Sequence, residues 1–153
     1  MNNTRAMDYN LVEVLLVEDN AEDAELTIRE LRAHNLANNL YHAWDGEEAL
    51  DFIFGKKKFS GTRSPEHPPR LIMLDISMPK INGIEVLEEL KSNPLTKKIP
   101  VVMLTATTEN PVIRHCQQLG VNSYIVKPVK FDAFAVKIKE LGFYWLLLNQ
   151  QPI

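Results

Sequence analysis

Four places along the chain carry residues that could together move a phosphoryl group. Glu18 and Asp19 stand side by side after one apolar run. Asp75 follows a second, Thr105 a third, and Lys127, ahead of Pro128, a fourth. Carboxylates gathered in one place repel each other and favour a divalent cation between them. Oxygen ligands of this kind suit Mg2+, which keeps several waters and takes a couple of carboxylates together with a phosphate. A carboxylate held beside such an ion is a competent nucleophile and can form an acyl phosphate. The charge on the transferred oxygens would then be neutralised by the cation, by the ammonium of Lys127 and by the hydroxyl of Thr105. Taken singly, each residue has an ordinary explanation. Acids at strand ends often cap the next helix, an aspartate such as Asp75 is common in loops, and Lys127 and Thr105 could be a surface lysine and a turn threonine. The joint arrangement carries the argument.

Those residues need a scaffold that brings the ends of separate segments to one edge. Short apolar runs at 12–17, 40–44, 71–74, 101–104 and 124–126 read as strands. Most do not alternate with polar residues, as expected of parallel strands covered on both faces. Helix-compatible stretches lie between them. Asn20 can cap the first, in which Ala21, Ala24, Ile28 and Leu31 recur at helical spacing. Asp45 and Glu48 have the spacing of a capping box, with Gly55 suited to the far end of that helix. A third helix is expected over about 84–92, a fourth over about 111–119 with Gly120 as its stop, and a fifth from near 131 to about 148. Strict alternation of this kind implies a doubly wound α/β sheet, in which the functional site lies beyond the carboxyl ends of the strands. The stretch 55–70, rich in Lys, Gly, Ser and Pro, reads as a long exposed loop, either a solvated insertion or a partner-binding loop.

Bulk properties narrow the function classes. The 153 residues fit a single domain over 1–153 with its core over about 12–148. A formal net charge of −3 argues against a nucleic-acid binder, which normally presents a basic face. Cys116 is the one cysteine, so no internal disulfide is possible and a cytoplasmic setting is expected. No signal peptide is visible, and the apolar run at 143–148 is too short to span a bilayer, so no membrane partner is expected.

The segments Leu15-Leu16-Val17-Glu18-Asp19-Asn20, Leu74-Asp75-Ile76-Ser77-Met78-Pro79, Asn82-Gly83, Leu104-Thr105-Ala106 and Tyr124-Ile125-Val126-Lys127-Pro128 together resemble the response-regulator receiver family of two-component signalling. The resemblance implies a flavodoxin-like, five-stranded parallel sheet of order 2-1-3-4-5 with five helices. It implies that Asp75 is the phosphoacceptor, that Mg2+ is bound directly by Asp19 and Asp75 and through water by Glu18, and that the Ser77 backbone carbonyl is a further ligand. Thr105 and Lys127 would grip the phosphoryl group, with small Ala106 leaving room. The Lys127–Pro128 bond would be cis. Tyr124 would swing inward when Thr105 moves, and the small residues Ser77 and Thr107 would influence how fast the signal decays. Glu18 departs from the family's more usual Asp by one methylene. A finer resemblance is to small regulators serving phytochrome-type histidine kinases. It rests on the long loop before the third strand, on Ser92-Asn93-Pro94-Leu95 and Ile99-Pro100-Val101-Val102, and on a fifth helix ending in aromatic residues and leucines.

The remaining candidates are weaker. His34, His42, His67 and His115 do not stand with cysteines or carboxylates at metal-ligand spacing and read as surface or boundary residues. Cys116 beside His115 on a helix would point about 100° away from it, against a nucleophilic pair. Phe143-Tyr144-Trp145-Leu146-Leu147-Leu148 is apolar all round a helix, which suggests a homodimer through the fifth-helix region, with Phe143, Tyr144, Trp145 and Leu147 in the interface. Other functions compete. An aspartyl-phosphate phosphatase would carry a second Asp where Ser77 stands. A flavin binder would need a phosphate-cradling loop in place of Glu18-Asp19. A pseudo-receiver would lack one of the site residues, and a fragment of a larger regulator would continue into an output domain, for which the tail 149–153 offers no sign. The expectation is a signalling protein, not an enzyme, that catalyses only its own phosphorylation and dephosphorylation.

Overall fold

The computed structural model describes residues 9, 12–34, 39–78, 80–106, 110–121 and 123–140. Five parallel strands, β1 (Val14–Val17), β2 (Leu40–Ala43), β3 (Leu71–Asp75), β4 (Val101–Thr105) and β5 (Tyr124–Val126), form one sheet of order β2-β1-β3-β4-β5. Between and after them lie α1 (Ala21–Ala33), α2 (Gly46–Phe54), α3 (Gly83–Ser92), α4 (Asn110–Gln118) and α5 (Phe131–Glu140). The sheet is in register from Val14 opposite both Leu40 and Leu71, through Asp75 opposite Leu104, to Thr105 opposite Val126.

The side-chain period of two explains why the three central strands, β1, β3 and β4, carry no polar face. Leu15, Val17, Ile72, Leu74, Val101 and Met103 face α2 and α3, where Ala49, Phe52, Ile53, Val86, Leu87 and Leu90 meet them. Val14, Leu16, Leu71, Met73, Val102 and Leu104 face Ala24 and Leu31 of α1 and Phe134 and Ile138 of α5. Each large apolar side chain buried in these layers is worth roughly 1.5–3 kcal/mol. The central strands therefore withstand polar residues only at their ends, which is where Glu18, Asp75 and Thr105 stand.

The structure shortens several expected elements. β2 stops at Ala43, leaving Trp44 half exposed, and β1 starts at Val14 instead of residue 12. Asp45 accepts from Glu48 N, but the Glu48 carboxylate reaches back to Trp44 N and not to Asp45 N, so the expected box is only half closed. The full reciprocal capping box forms at Asn82 and Glu85 instead, fixing the start of α3. The run 143–148, and with it Phe143, Tyr144, Trp145 and Leu147, lies outside the described residues, as do Pro79 and Thr107.

The 55–70 stretch is more tightly held than an exposed loop. Lys56, Lys57 and Lys58 face solvent, but a 3-10 turn over Lys57–Phe59 buries Phe59, and Arg63 and Pro69 are buried as well. The Arg63 guanidinium donates to the carbonyls of Phe52 and Ile53 at the end of α2, of Tyr9 and of His67. It lies 4.4 Å from the Phe52 ring centre, beside a cluster of Tyr9, Tyr41, Phe52 and Phe59. The composition of the loop concealed two anchors, one aromatic and one cationic.

Candidate functional site

Each candidate side chain emerges where a strand ends. Glu18 directly follows β1; its backbone N–H is held by the Ala43 carbonyl at 3.0 Å and its own carbonyl lies 2.8 Å from His42 Nε2. Asp19 comes next, and Asn20 caps α1 by accepting from Asp23 N at 2.9 Å. Asp75 is the last residue of β3 and is only 2% exposed. Just past it, Ile76 N donates to the Leu104 carbonyl and Gly83 N to the Ile76 carbonyl, closing the turn into α3. A Cβ at Gly83 would overlap the Asp75 carbonyl oxygen, so this close return of the chain requires glycine. Thr105 ends β4, buried, and its carbonyl accepts from Lys127 N at 2.8 Å. That bond draws Lys127 to the same edge, and the Lys127–Pro128 peptide is cis.

The structure brings four of the expected side chains into contact range. Glu18, Asp19 and Asp75 each offer a carboxylate oxygen, all within 4.8 Å of one another. The Lys127 ammonium lies 3.0 Å from Glu18 Oε1 and 3.4 Å from Asp75 Oδ1. Ser77 lines an adjoining cleft of about 800 Å3 together with Asp19, Asn82 and His115. Tyr124 is half-buried at the start of β5, with the Lys137 ammonium 5.4 Å from its ring centre.

Sequence reasoning missed Asp23. It stands in the first turn of α1, and its Oδ2 lies 2.9 Å from Lys127 Nζ, nearer than either other carboxylate. Its place one helical turn beyond Asp19 was the available signal.

Burial and like charge set the electrostatics. Burial, and then the neighbouring Glu18, push the Asp75 carboxyl up to about 7, against the opposing pull of Lys127. Burial alone would lower Lys127, but Asp23, Glu18 and Asp75 hold its ammonium well above the ordinary lysine range. One ammonium faces three carboxylates, with Asp19 a fourth beside Glu18 and Asp75, which leaves an excess of negative charge. An all-oxygen donor set with that excess fits a hard divalent cation. Cys116, by contrast, is buried with its thiol pushed up, which leaves it a packing residue.

The comparisons with known proteins agree with this geometry. The family model described as response regulator receiver domain matches residues 14–139. The chain is 35% identical over 139 residues to the probable methanogenesis regulatory protein FilR2 of Methanothrix harundinacea, covering 91% of this chain and 86% of that protein. It is 33% identical to the response regulator Rcp1 of Synechocystis sp., over 87% of this chain and 88% of that one. The solved Mn2+-bound form of Rcp1 superposes with a TM-score of 0.69, covering 87% of this chain and 93% of that one at 32% identity. The bacteriophytochrome response regulator AtBRR superposes with a TM-score of 0.79 at 41% identity, covering 86% of this chain and 93% of that one. With the sheet order, the carboxylate cluster and the strand-end lysine all in place, the chain belongs to the response regulator receiver family of two-component signalling.

Proposed function

We propose that this receiver domain is a phosphoacceptor: Asp75 takes a phosphoryl group from the phosphohistidine of a partner histidine kinase. The observation that carries the proposal is the meeting of Glu18, Asp19 and Asp75 oxygens within 4.8 Å, with Lys127 Nζ on Asp75 Oδ1. An Asp75 carboxylate oxygen attacks phosphorus in line; the P–N bond breaks and the imidazole leaves. Lys127 neutralises one phosphoryl oxygen and the Thr105 hydroxyl binds another. Glu18, Asp19, Asp75 and the Ser77 carbonyl are the groups that would hold Mg2+, which when bound neutralises phosphoryl charge. The other three carboxylates, Glu18, Asp19 and Asp23, repel an incoming anion, so the reaction depends on that cation.

The readout is conformational. Thr105 shifts toward the phosphoryl group, Tyr124 moves into the space it leaves, and the face of α4, β5 and α5 changes its affinity for partners. The protein acts on no other substrate and works in the cytoplasm through protein contacts. The name of AtBRR supports a phytochrome-type kinase as donor.

Intact mass after incubation with acetyl phosphate and Mg2+ tests the proposal. One added phosphoryl group is expected, absent in Asp75→Asn and absent with chelator. Failure with every donor, a histidine kinase included, would overturn it in favour of a pure interaction module. Light scattering on the same samples reads the homodimer through the fifth-helix region, and a monomer in both states removes that part.

A further inference from the structure

The Lys127 ammonium is shared among three carboxylates in the resting protein. It donates to Asp23 Oδ2 at 2.9 Å and to Glu18 Oε1 at 3.0 Å, and it forms an ion pair with Asp75 Oδ1 at 3.4 Å. An ammonium has three N–H groups and no more. A phosphoryl oxygen placed on Asp75 therefore competes with Asp23 and Glu18 for the same ammonium. The three partners differ in what release would cost them. Glu18 has a side chain with no exposed surface and, besides the lysine, accepts a long bond from the Asn20 N–H at 3.3 Å, so losing the ammonium would leave a buried charge poorly compensated. Asp75 is the residue being modified and stays beside the ammonium. Asp23 has a side chain 37% exposed, so water can replace the lysine there at little cost.

We propose that Asp23 is a positioning residue, the exchangeable counter-ion of Lys127, which holds the ammonium on the α1 side at rest and is released when a phosphoryl group arrives. The inference rests on the phosphoacceptor reading above. Asp23 touches no reacting atom and acts through Lys127. It competes with the phosphoryl oxygens, and so sets how readily the phosphorylated state forms. Because Asp23 is in the first turn of α1, each exchange also frees that turn from the β5 edge. Its backbone N–H is held by Asn20 independently of its side chain, so the carboxylate can be altered without uncapping the helix.

The test uses fluoroberyllate, a tetrahedral phosphoryl mimic, titrated calorimetrically at saturating Mg2+. Asp23→Asn is expected to bind it roughly threefold to fivefold more tightly than wild type, the range of a partly exposed ion pair. Asp23→Glu, which keeps the carboxylate, should return to the wild-type affinity, and Asp23→Ser, a second uncharged variant, should behave as Asp23→Asn. Glu22→Gln, which removes a charge from the same helical turn without touching Lys127, should give a much smaller gain than Asp23→Asn. Unchanged or weaker binding in both uncharged variants, or an equal gain in Glu22→Gln, overturns the inference while the phosphoacceptor reading stands. No fluoroberyllate binding by wild type overturns both.

Discussion

Lys127 and Arg63 are both cations withdrawn from solvent, and they are held in opposite ways. Lys127 sits at the carboxyl ends of the strands among formal charges: Asp23, Glu18 and Asp75. Arg63 sits where α2 ends, among backbone carbonyls of Phe52, Ile53, Tyr9 and His67, with its plane near the Phe52 ring. Carbonyl dipoles belong to the fixed backbone and keep their charge, so the Arg63 site has one state. Carboxylates can be protonated, bound to metal or esterified, so the partners of Lys127 can be exchanged by chemistry. The molecule thus keeps a static cation where it needs an anchor and a contested one where it needs a switch.

The comparison breaks most visibly at Arg63. Arg63→Ala leaves backbone carbonyls at the end of α2 without their donor and removes the contact with Phe52. A loss of about 3 kcal/mol is expected in urea unfolding, with phosphorylation of the folded protein unchanged. A phosphorylation defect in the folded variant would mean that the two ends of the sheet are coupled.

Asp75 gives a smaller effect of opposite sign. Its carboxyl is raised from 3.8 to about 7 on folding, so the folded chain binds the proton more tightly than the unfolded chain. Stability should therefore fall as pH rises between those two values. Asp75→Asn, which cannot ionise, should be more stable than wild type by about 1–2 kcal/mol at pH 8 without metal, allowing for relaxation of the site. The difference should shrink as the pH is lowered toward 4, where both forms are neutral at this position. Thermal unfolding across pH in chelator measures it. A variant less stable than wild type at pH 8 would show that Lys127 outweighs the burial and the repulsion from Glu18.

The smallest expected effect belongs to the cap that carries Asp23. Asn20→Ala removes the bond from Asp23 N and should cost about 1 kcal/mol in the same unfolding measurement. A cost as large as that of Arg63→Ala would mean that the rim is as rigidly built as the anchor.

Much of this was legible in the chain because the signals are local or periodic. Unbroken apolar runs at β1, β3 and β4 announced strands covered on both faces, and the observed sheet is covered in that way. Strand ends are the only places such a sheet tolerates charge, so Glu18, Asp19, Asp75, Thr105 and Lys127 stood out by position as well as by type. The 55–70 stretch misled because its composition is that of a loop, while its path is decided by two side chains, Phe59 and Arg63, whose partners lie elsewhere in the chain. Asp45 and Glu48 had the right spacing for a box, but Tyr41 and Lys58 also draw on the Glu48 carboxylate, and it turns toward them.

The sequence by itself determined the α/β alternation, the parallel sheet and the identity of the residues along its edge, since these follow from side-chain period and from what a buried strand excludes. Only the tertiary structure decided how the edge charges are shared. That Lys127 lies nearest Asp23, 104 residues away in the chain, depends on how α1 and β5 pack around the end of β1. Coulomb interactions depend on distance through space, and spacing along a chain does not encode that distance once the chain has folded back on itself.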